Sequence, residues 1–197
     1  MLGDIIKENF KTTFKDFINF KYSKEFDAKE ILGYIYAVLY SNIYRTKFIE
    51  FLKIDFPKII FVDSVKTFEK LSKLGIKLIN VHLMKNDSEL DSNIGIHIGD
   101  NNHIIEKIFY NKDTKELYYN SLCKFINTPY EVYEYFIGAY QVLRSYLKYR
   151  KGRELSIYEI EHIEKVIKIL HYTINIQKQI DLITCKLKEF DSQNCNL

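Results

Sequence analysis

Tryptophan is missing from this chain of 197 residues, proline occurs twice and glycine seven times. So little turn-forming material argues against a turn-rich all-β fold and favours helix. Cysteine is scarce too. Cys123, Cys185 and Cys195 are odd in number, far apart, and form no Cys-x-x-Cys pair. Neither a disulfide framework nor a zinc ribbon is indicated, and reduced cytosolic thiols are expected. No run of about 18 apolar residues is present to span a bilayer. Met1 to Phe10 lacks the apolar core and cleavage site of a signal peptide, so a soluble, cytoplasmic chain with no membrane partner is expected. Charge of one sign is also lacking: 29 Lys plus Arg against 26 Asp plus Glu leaves a net of +3. No global field draws the chain to nucleic acid or anionic lipid, and any such contact has to come from a local cluster.

What is present is 47% hydrophobic and 28% charged, proportions that exclude a disordered tail. Apolar residues at Ile5, Ile6, Phe10, Phe14 and Phe17 have helical spacing over 4–18, followed by a Lys-rich connector from Asn19 to Glu25. Asp27-Ala-Lys-Glu30 has the form of a capping box and opens a helix to about Tyr40. Tyr44 to Leu52 reads as a second helix. Ser64 to Met84 reads as one or two, interrupted near Gly75 because mid-helix glycine costs about 1 kcal/mol against alanine. Between Lys85 and Phe125 the pattern changes to short strands: Gly95 to Gly99, Ile104 to Tyr110, a turn over Asn111 to Glu116, and Leu117 to Leu122. Thr128-Pro-Tyr-Glu131 predicts a helix running to about Tyr149, with Pro129 at its first position. Ser156-Ile-Tyr-Glu159 opens a long one that carries Ile160, Ile163, Ile167, Leu170 and Ile174 on one side. The predicted fold is α+β, predominantly helical, with a small antiparallel strand-containing middle segment. The simplest partition is an N-terminal helix and connector over 1–25, one domain over 26–190, and a tail over 191–197.

Each candidate motif has a bland reading beside the functional one. Asn127-Thr-Pro-Tyr130 is one letter from the Asn-Pro-Pro-Tyr word with which amino-methyltransferases grip a flipped base. A helix start capped by Thr128 accounts for it as well, and no Gly-rich nucleotide loop precedes it. His97, Asp100 and His103 suggest a metal by spacing, yet offer no evident fourth ligand, so no metal is assigned. His162 and His171 fit packing positions on the long helix. No serine has the Gly-x-Ser-x-Gly setting of a hydrolase, and no paired carboxylates form a nuclease pattern, so no catalytic residue is assigned. The concentrated charge is Arg144, Lys148, Arg150, Lys151 and Arg153, with no acid from Gln141 to Arg153. On a helix, Gln141, Arg144 and Lys148 share one stripe, with Val142, Leu143 and Tyr146 facing the other way. That stripe is either an ordinary solvated face or a surface for phosphates.

Several strings in one order resemble a single family. They include Ile31-Leu-Gly-Tyr-Ile-Tyr-Ala-Val-Leu-Tyr-Ser41, Phe48 to Pro57, Val81-His-Leu83, Ile105-Glu-Lys-Ile108, Ile137-Gly-Ala-Tyr-Gln-Val142 and Leu147-Lys-Tyr-Arg-Lys-Gly-Arg153-Glu-Leu-Ser156. Over about 26–181 the chain resembles the C-terminal specificity (target-recognition) domain of type ISP and type IIG restriction–modification enzymes. Those enzymes join a nuclease, sometimes a translocase, and an adenine N6-methyltransferase to this domain. The resemblance implies that the chain reads double-stranded DNA, is not catalytic by itself, and partners the methyltransferase and nuclease modules of the same system. S-adenosylmethionine and Mg2+ are expected only in those modules, and no cofactor in this chain. For phosphate contacts it points to Arg144, Lys148, Arg150, Lys151 and Arg153, with Tyr140 and Gln141 as base or sugar contacts. For specificity it points to the polar segment with Asn86, Asn93, His97, Asn101, Asn102 and His103. Ala139 stands where the family usually has a second glycine. The alternative is an interaction module that docks on a separate methyltransferase–nuclease subunit and has negligible DNA affinity alone.

Overall fold

The computed structural model describes residues 9–85, 88–99 and 102–190. The chain is α+β and mostly helical, as expected. Its contacts gather into two compact units: one runs to Lys85 and resumes at Ile176, and the other reaches Asn175. Among the described residues no helix is long and apolar enough to cross a membrane.

The first unit is helical: α1 (Thr12–Tyr22), α2 (Ala28–Tyr40), α3 (Asn42–Lys47), α4 (Ile49–Leu52) and α5 (Val65–His82), joined by the end of α8 (Ile157–Thr184) and a 3-10 turn at Lys188–Phe190. Helix α1 runs on into the segment expected as connector and takes in Lys21 before ending at Tyr22. Ile18 and Tyr22, one turn apart, are both buried there, and the Tyr22 hydroxyl donates to the Val62 carbonyl at 2.6 Å. Ser23, at φ 50°, ends it. The capping box at α2 is present: the Glu30 amide donates to Asp27 Oδ1 at 2.7 Å, and the Asp27 amide to Glu30 Oε2 at 3.0 Å. The helix predicted from Tyr44 to Leu52 divides at Phe48 into α3 and α4.

Helix α5, by contrast, is unbroken at Gly75. A Cβ on Gly75 would lie 1.7 Å from the Gly33 carbonyl oxygen, and one on Gly33 would lie 2.5 Å from that of Ser72. Both glycines serve the close approach of α2 to α5, which lets Tyr34 stack on Phe68 with ring centroids 4.4 Å apart.

In the second unit β1 (Ile96–Ile98), β2 (Phe109–Asn111), β3 (Glu116–Tyr118) and β4 (Lys124–Ile126) form an antiparallel sheet in the order β1-β4-β3-β2. Ile96 faces Ile126, Leu117 faces Phe125, and Tyr110 faces Leu117. The strand expected from Ile104 forms its ladder only from Phe109. Upstream, Ile105 is buried and held by bonds from its amide to the Arg153 carbonyl (3.1 Å) and from the Gly152 amide to its carbonyl (2.8 Å).

The helix predicted from Thr128 to Tyr149 is corrected by the structure. Only Tyr130–Tyr133 (α6) and Val142–Lys148 (α7) are helical, and between them Phe136–Ile137 (β5) and Tyr140–Gln141 (β6) make a hairpin. Pro129 rather than Thr128 is the N-cap of α6, and the Thr128 hydroxyl donates instead to the Phe125 carbonyl at 3.2 Å. Gly138 takes φ +59° at the hairpin turn, and Ala139 is not among the described residues with positive φ. A two-residue turn with glycine only at its first central position accepts the Ala139 methyl group.

Helix α8 begins with a second capping box: the Ser156 amide donates to Glu159 Oε2 at 3.0 Å, and the Glu159 amide to Ser156 Oγ at 3.3 Å. Its Ile160, Ile163, Ile167, Leu170 and Ile174 are buried as expected, in one core with Leu117, Phe125, Val132, Leu143 and Leu147.

Candidate nucleic-acid interface

The basic segment is built on α7, whose Leu143 and Leu147 are buried in the core. The helical rotation of about 100° per residue turns Arg144 and Lys148 away from that buried side, exposed, and the turn after the helix exposes Lys151. Among the described residues none of these three cations forms an ion pair, and no acid interrupts 141–153.

Two other expected phosphate contacts are committed elsewhere. Arg150 lies over the Tyr146 ring, 3.6 Å from its centroid, donates to the Tyr146 carbonyl at 3.1 Å, and approaches Glu159 at 3.4 Å. Arg153 pairs with the same carboxylate. Glu159 thus engages both guanidinium groups at the start of α8, its single charge offsetting one of their two. The Arg153 bond first, and the Ser156 amide next, hold its carboxyl at about 2, well below its ordinary value.

Gln141 corrects a further expectation. The seven-residue α7 starts after it, so the side chain is not on a helical stripe. It is buried, and Nε2 donates to the Tyr133 carbonyl at 3.1 Å, which fastens the end of α6 to the hairpin. Tyr140 is partly exposed and stacks on the exposed Tyr149 at 6.3 Å and 8°. The sequence reading missed Phe136, Ile137 and Tyr149, which expose apolar or aromatic surface beside the free-standing cations. The available signal was Gly138 set between two apolar pairs, a hairpin pattern hidden by helical spacing on either side.

Of the polar segment, Asn86, Asn101 and Asp100 lie outside the described residues. Asn93 is exposed, and its carbonyl accepts from the Asn127 side chain at 3.0 Å. Asn102 is exposed, with Oδ1 accepting from the Ile104 amide at 3.1 Å. The two histidines are half-buried and each turns one ring nitrogen toward Tyr119. His97 Nε2 lies 2.8 Å and His103 Nδ1 lies 3.1 Å from the hydroxyl of buried Tyr119. Burial, with the neighbouring His103 second, pushes the His97 imidazole below its ordinary pKa. Cys123, which motif spacing did not connect to them, brings its Sγ to 3.8 Å from His103 Nδ1.

Asn127-Thr-Pro-Tyr130 serves local structure. Asn127 takes φ 51°, Thr128 is buried, and the Thr128 carbonyl accepts from Tyr110 at 2.7 Å. His162 packs near Tyr146, and His171 contacts Asn175 at 3.2 Å.

The family described as the Type ISP C-terminal specificity domain matches residues 3–179, which takes in the N-terminal helix as well as the region from residue 26. Three solved structures share the fold. One is a nuclease-deletion mutant of the Type ISP restriction-modification enzyme LlaGI in complex with a DNA substrate mimic, at 21% identity and TM-score 0.58, covering 79% of this chain and 14% of that one. Another is the ATP-dependent Type ISP restriction-modification enzyme LlaBIII bound to DNA, at 22% identity and TM-score 0.54, with 84% and 12% covered. The third is a DrdV–DNA complex, at 17% identity and TM-score 0.59, with 87% and 19% covered. This chain therefore spans less than a fifth of the length of each. No curated protein matches it.

Proposed function

The chain belongs to the Type ISP C-terminal specificity domain family, and from that premise we propose that it reads a short sequence of double-stranded DNA for a restriction–modification enzyme. Methylation of adenine, cleavage, S-adenosylmethionine and Mg2+ belong, in this reading, to other modules of the same system. The observation that carries it is the exposed trio Arg144, Lys148 and Lys151 beside the hairpin that exposes Ile137 and Tyr140. Cations set the register on phosphates, while groups that enter a groove sense sequence. The three structural neighbours are all complexes with DNA or a DNA mimic, which supports the same reading. Flipping an adenine costs a few kcal/mol, and a domain that closes on the duplex helps offset it.

The test is fluorescence anisotropy across salt concentrations. Lys148→Ala with Lys151→Ala is expected to weaken binding on every sequence and reduce the salt slope by about one to two ions. Arg153→Ala, whose charge Glu159 already balances, is expected to leave the slope close to the parent's. Equal slopes for the double variant and the parent would refute the reading.

A second role has its own observation. In the first unit Phe20, Ile54 and Phe56 are each more than four-fifths exposed. Such surface favours docking on the methyltransferase and nuclease modules, and a pull-down with those modules separates docking from DNA affinity.

A further inference from the structure

Beyond DNA reading, we propose that His97, His103 and Cys123 form a binding site for zinc or a similar divalent cation inside the second unit. Their three ligand atoms all lie within 4.8 Å of one another. Thiolate sulfur and imidazole nitrogen are the donors that zinc selects, at about 2.3 Å for Zn–S and 2.0–2.1 Å for Zn–N. Tetrahedral bonds of those lengths separate sulfur and nitrogen by about 3.6 Å, and the His103 Nδ1 to Cys123 Sγ distance is 3.8 Å.

The donors arrive from separate places. His97 is the centre of β1, His103 precedes the buried Ile105, and Cys123 stands immediately before β4. Buried Asn120 fixes two of them. Its Nδ2 donates to the carbonyls on either side of His103, Asn102 at 2.9 Å and Ile104 at 3.0 Å. Its Oδ1 accepts the Cys123 amide at 2.6 Å. The Leu155 amide bonds the His103 carbonyl at 3.0 Å, so His103 is held from three directions. Gly99, at φ +154°, lets the chain after β1 pass over the cysteine: a Cβ there would meet Cys123 Sγ at 2.4 Å. This is a set of ligands positioned before any ion arrives, with β1, the His103 segment and β4 as the parts that the ion would join.

Binding replaces existing bonds in a balanced way. The Cys123 thiol, which donates to the Asn102 carbonyl at 3.2 Å, loses its proton to solvent as the sulfur–metal bond forms. Of His97 Nε2 and His103 Nδ1, one accepts the single Tyr119 hydroxyl proton and the other donates its N–H to that oxygen. On binding, the donating ring shifts its proton to its other nitrogen through solvent, and both lone pairs turn to the ion with the Tyr119 hydroxyl beside them.

The experiment uses the full chain with Cys185→Ser and Cys195→Ser, so that Cys123 is the sole thiol. After chelation and dialysis the protein is titrated with Co2+. The expected result is saturation at one equivalent, with a thiolate-to-cobalt charge-transfer band and the strong visible absorption of a four-coordinate ion, both displaced by Zn2+. Adding Cys123→Ser is expected to abolish the charge-transfer band, and His103→Gln to weaken cobalt binding at least tenfold. A titration with no such band overturns the proposal, as does a band that survives Cys123→Ser. Because the sole-thiol parent reports by itself, loss of folding in the Cys123 variant does not spoil the test. If the parent shows no band, the three side chains are only a hydrogen-bonded cluster around Tyr119.

Discussion

Gly75 lies so close to Gly33 that a single methyl group on it would overlap the Gly33 carbonyl oxygen, at 1.7 Å. Helix propensity alone favours alanine at Gly75 by about 1 kcal/mol, and contact between two backbones forbids it. Gly75→Ala is therefore expected to destabilise by about 1–3 kcal/mol or more, read as a lower midpoint in urea denaturation. A midpoint at or above the parent's would show that α2 and α5 do not pack this closely.

Glu159 makes stability depend on acid. Its pKa falls from 4.5 to about 2 on folding, chiefly through Arg153. A lowered folded value stabilises the protein above the unfolded value, and that contribution disappears as pH falls from about 4.5 toward 2. Thermal melts are expected to show the parent above Glu159→Gln at pH 6, with the gap closing near pH 2. A gap that is constant with pH would mean that the carboxylate charge is not what Arg153 and Ser156 hold.

Gln141 distinguishes a structural duty from base reading. Gln141→Ala removes the bond to the half-buried Tyr133 carbonyl, a loss of about 0.5–1.5 kcal/mol. Lower stability with unchanged preference among DNA sequences is the expected outcome. Relaxed preference at one base position in a variant of normal stability would return Gln141 to the groove.

Ile137 gives the opposite pattern. It is 61% exposed at the hairpin end, so Ile137→Ser is expected to leave stability within about 0.5 kcal/mol of the parent. If the hairpin meets DNA, the same variant lowers affinity about tenfold through lost apolar contact. Competition binding against the parent measures both affinity and preference, and equal values would remove the hairpin from the interface.

The parts of the fold that were legible in sequence are the local ones. Asp27 with Glu30, and Ser156 with Glu159, form capping boxes across three residues, and the isoleucine stripe of α8 follows helical period directly. The basic cluster was legible as charge, and its division was not. Arg150 and Arg153 look like Lys148 and Lys151 in sequence until Glu159 is seen to face the first pair. The hairpin between α6 and α7 was missed because apolar spacing across 130–149 suits a helix. What breaks that helix is a set of bonds between residues up to eight apart, including Gln141 to Tyr133.

By itself, then, the sequence determined the starts of α2, α5 and α8, the predominance of helix, the location of the charge, and the order of motifs that identifies the family. Those features depend on neighbours within a few positions, or on composition. Tertiary structure alone decided which cations remain exposed, why Gly75 interrupts nothing, and how Cys123 comes to share a cluster with His97 and His103. Each of those outcomes depends on atoms brought together from distant positions, where excluded volume and hydrogen-bond geometry, not local preference, select the arrangement.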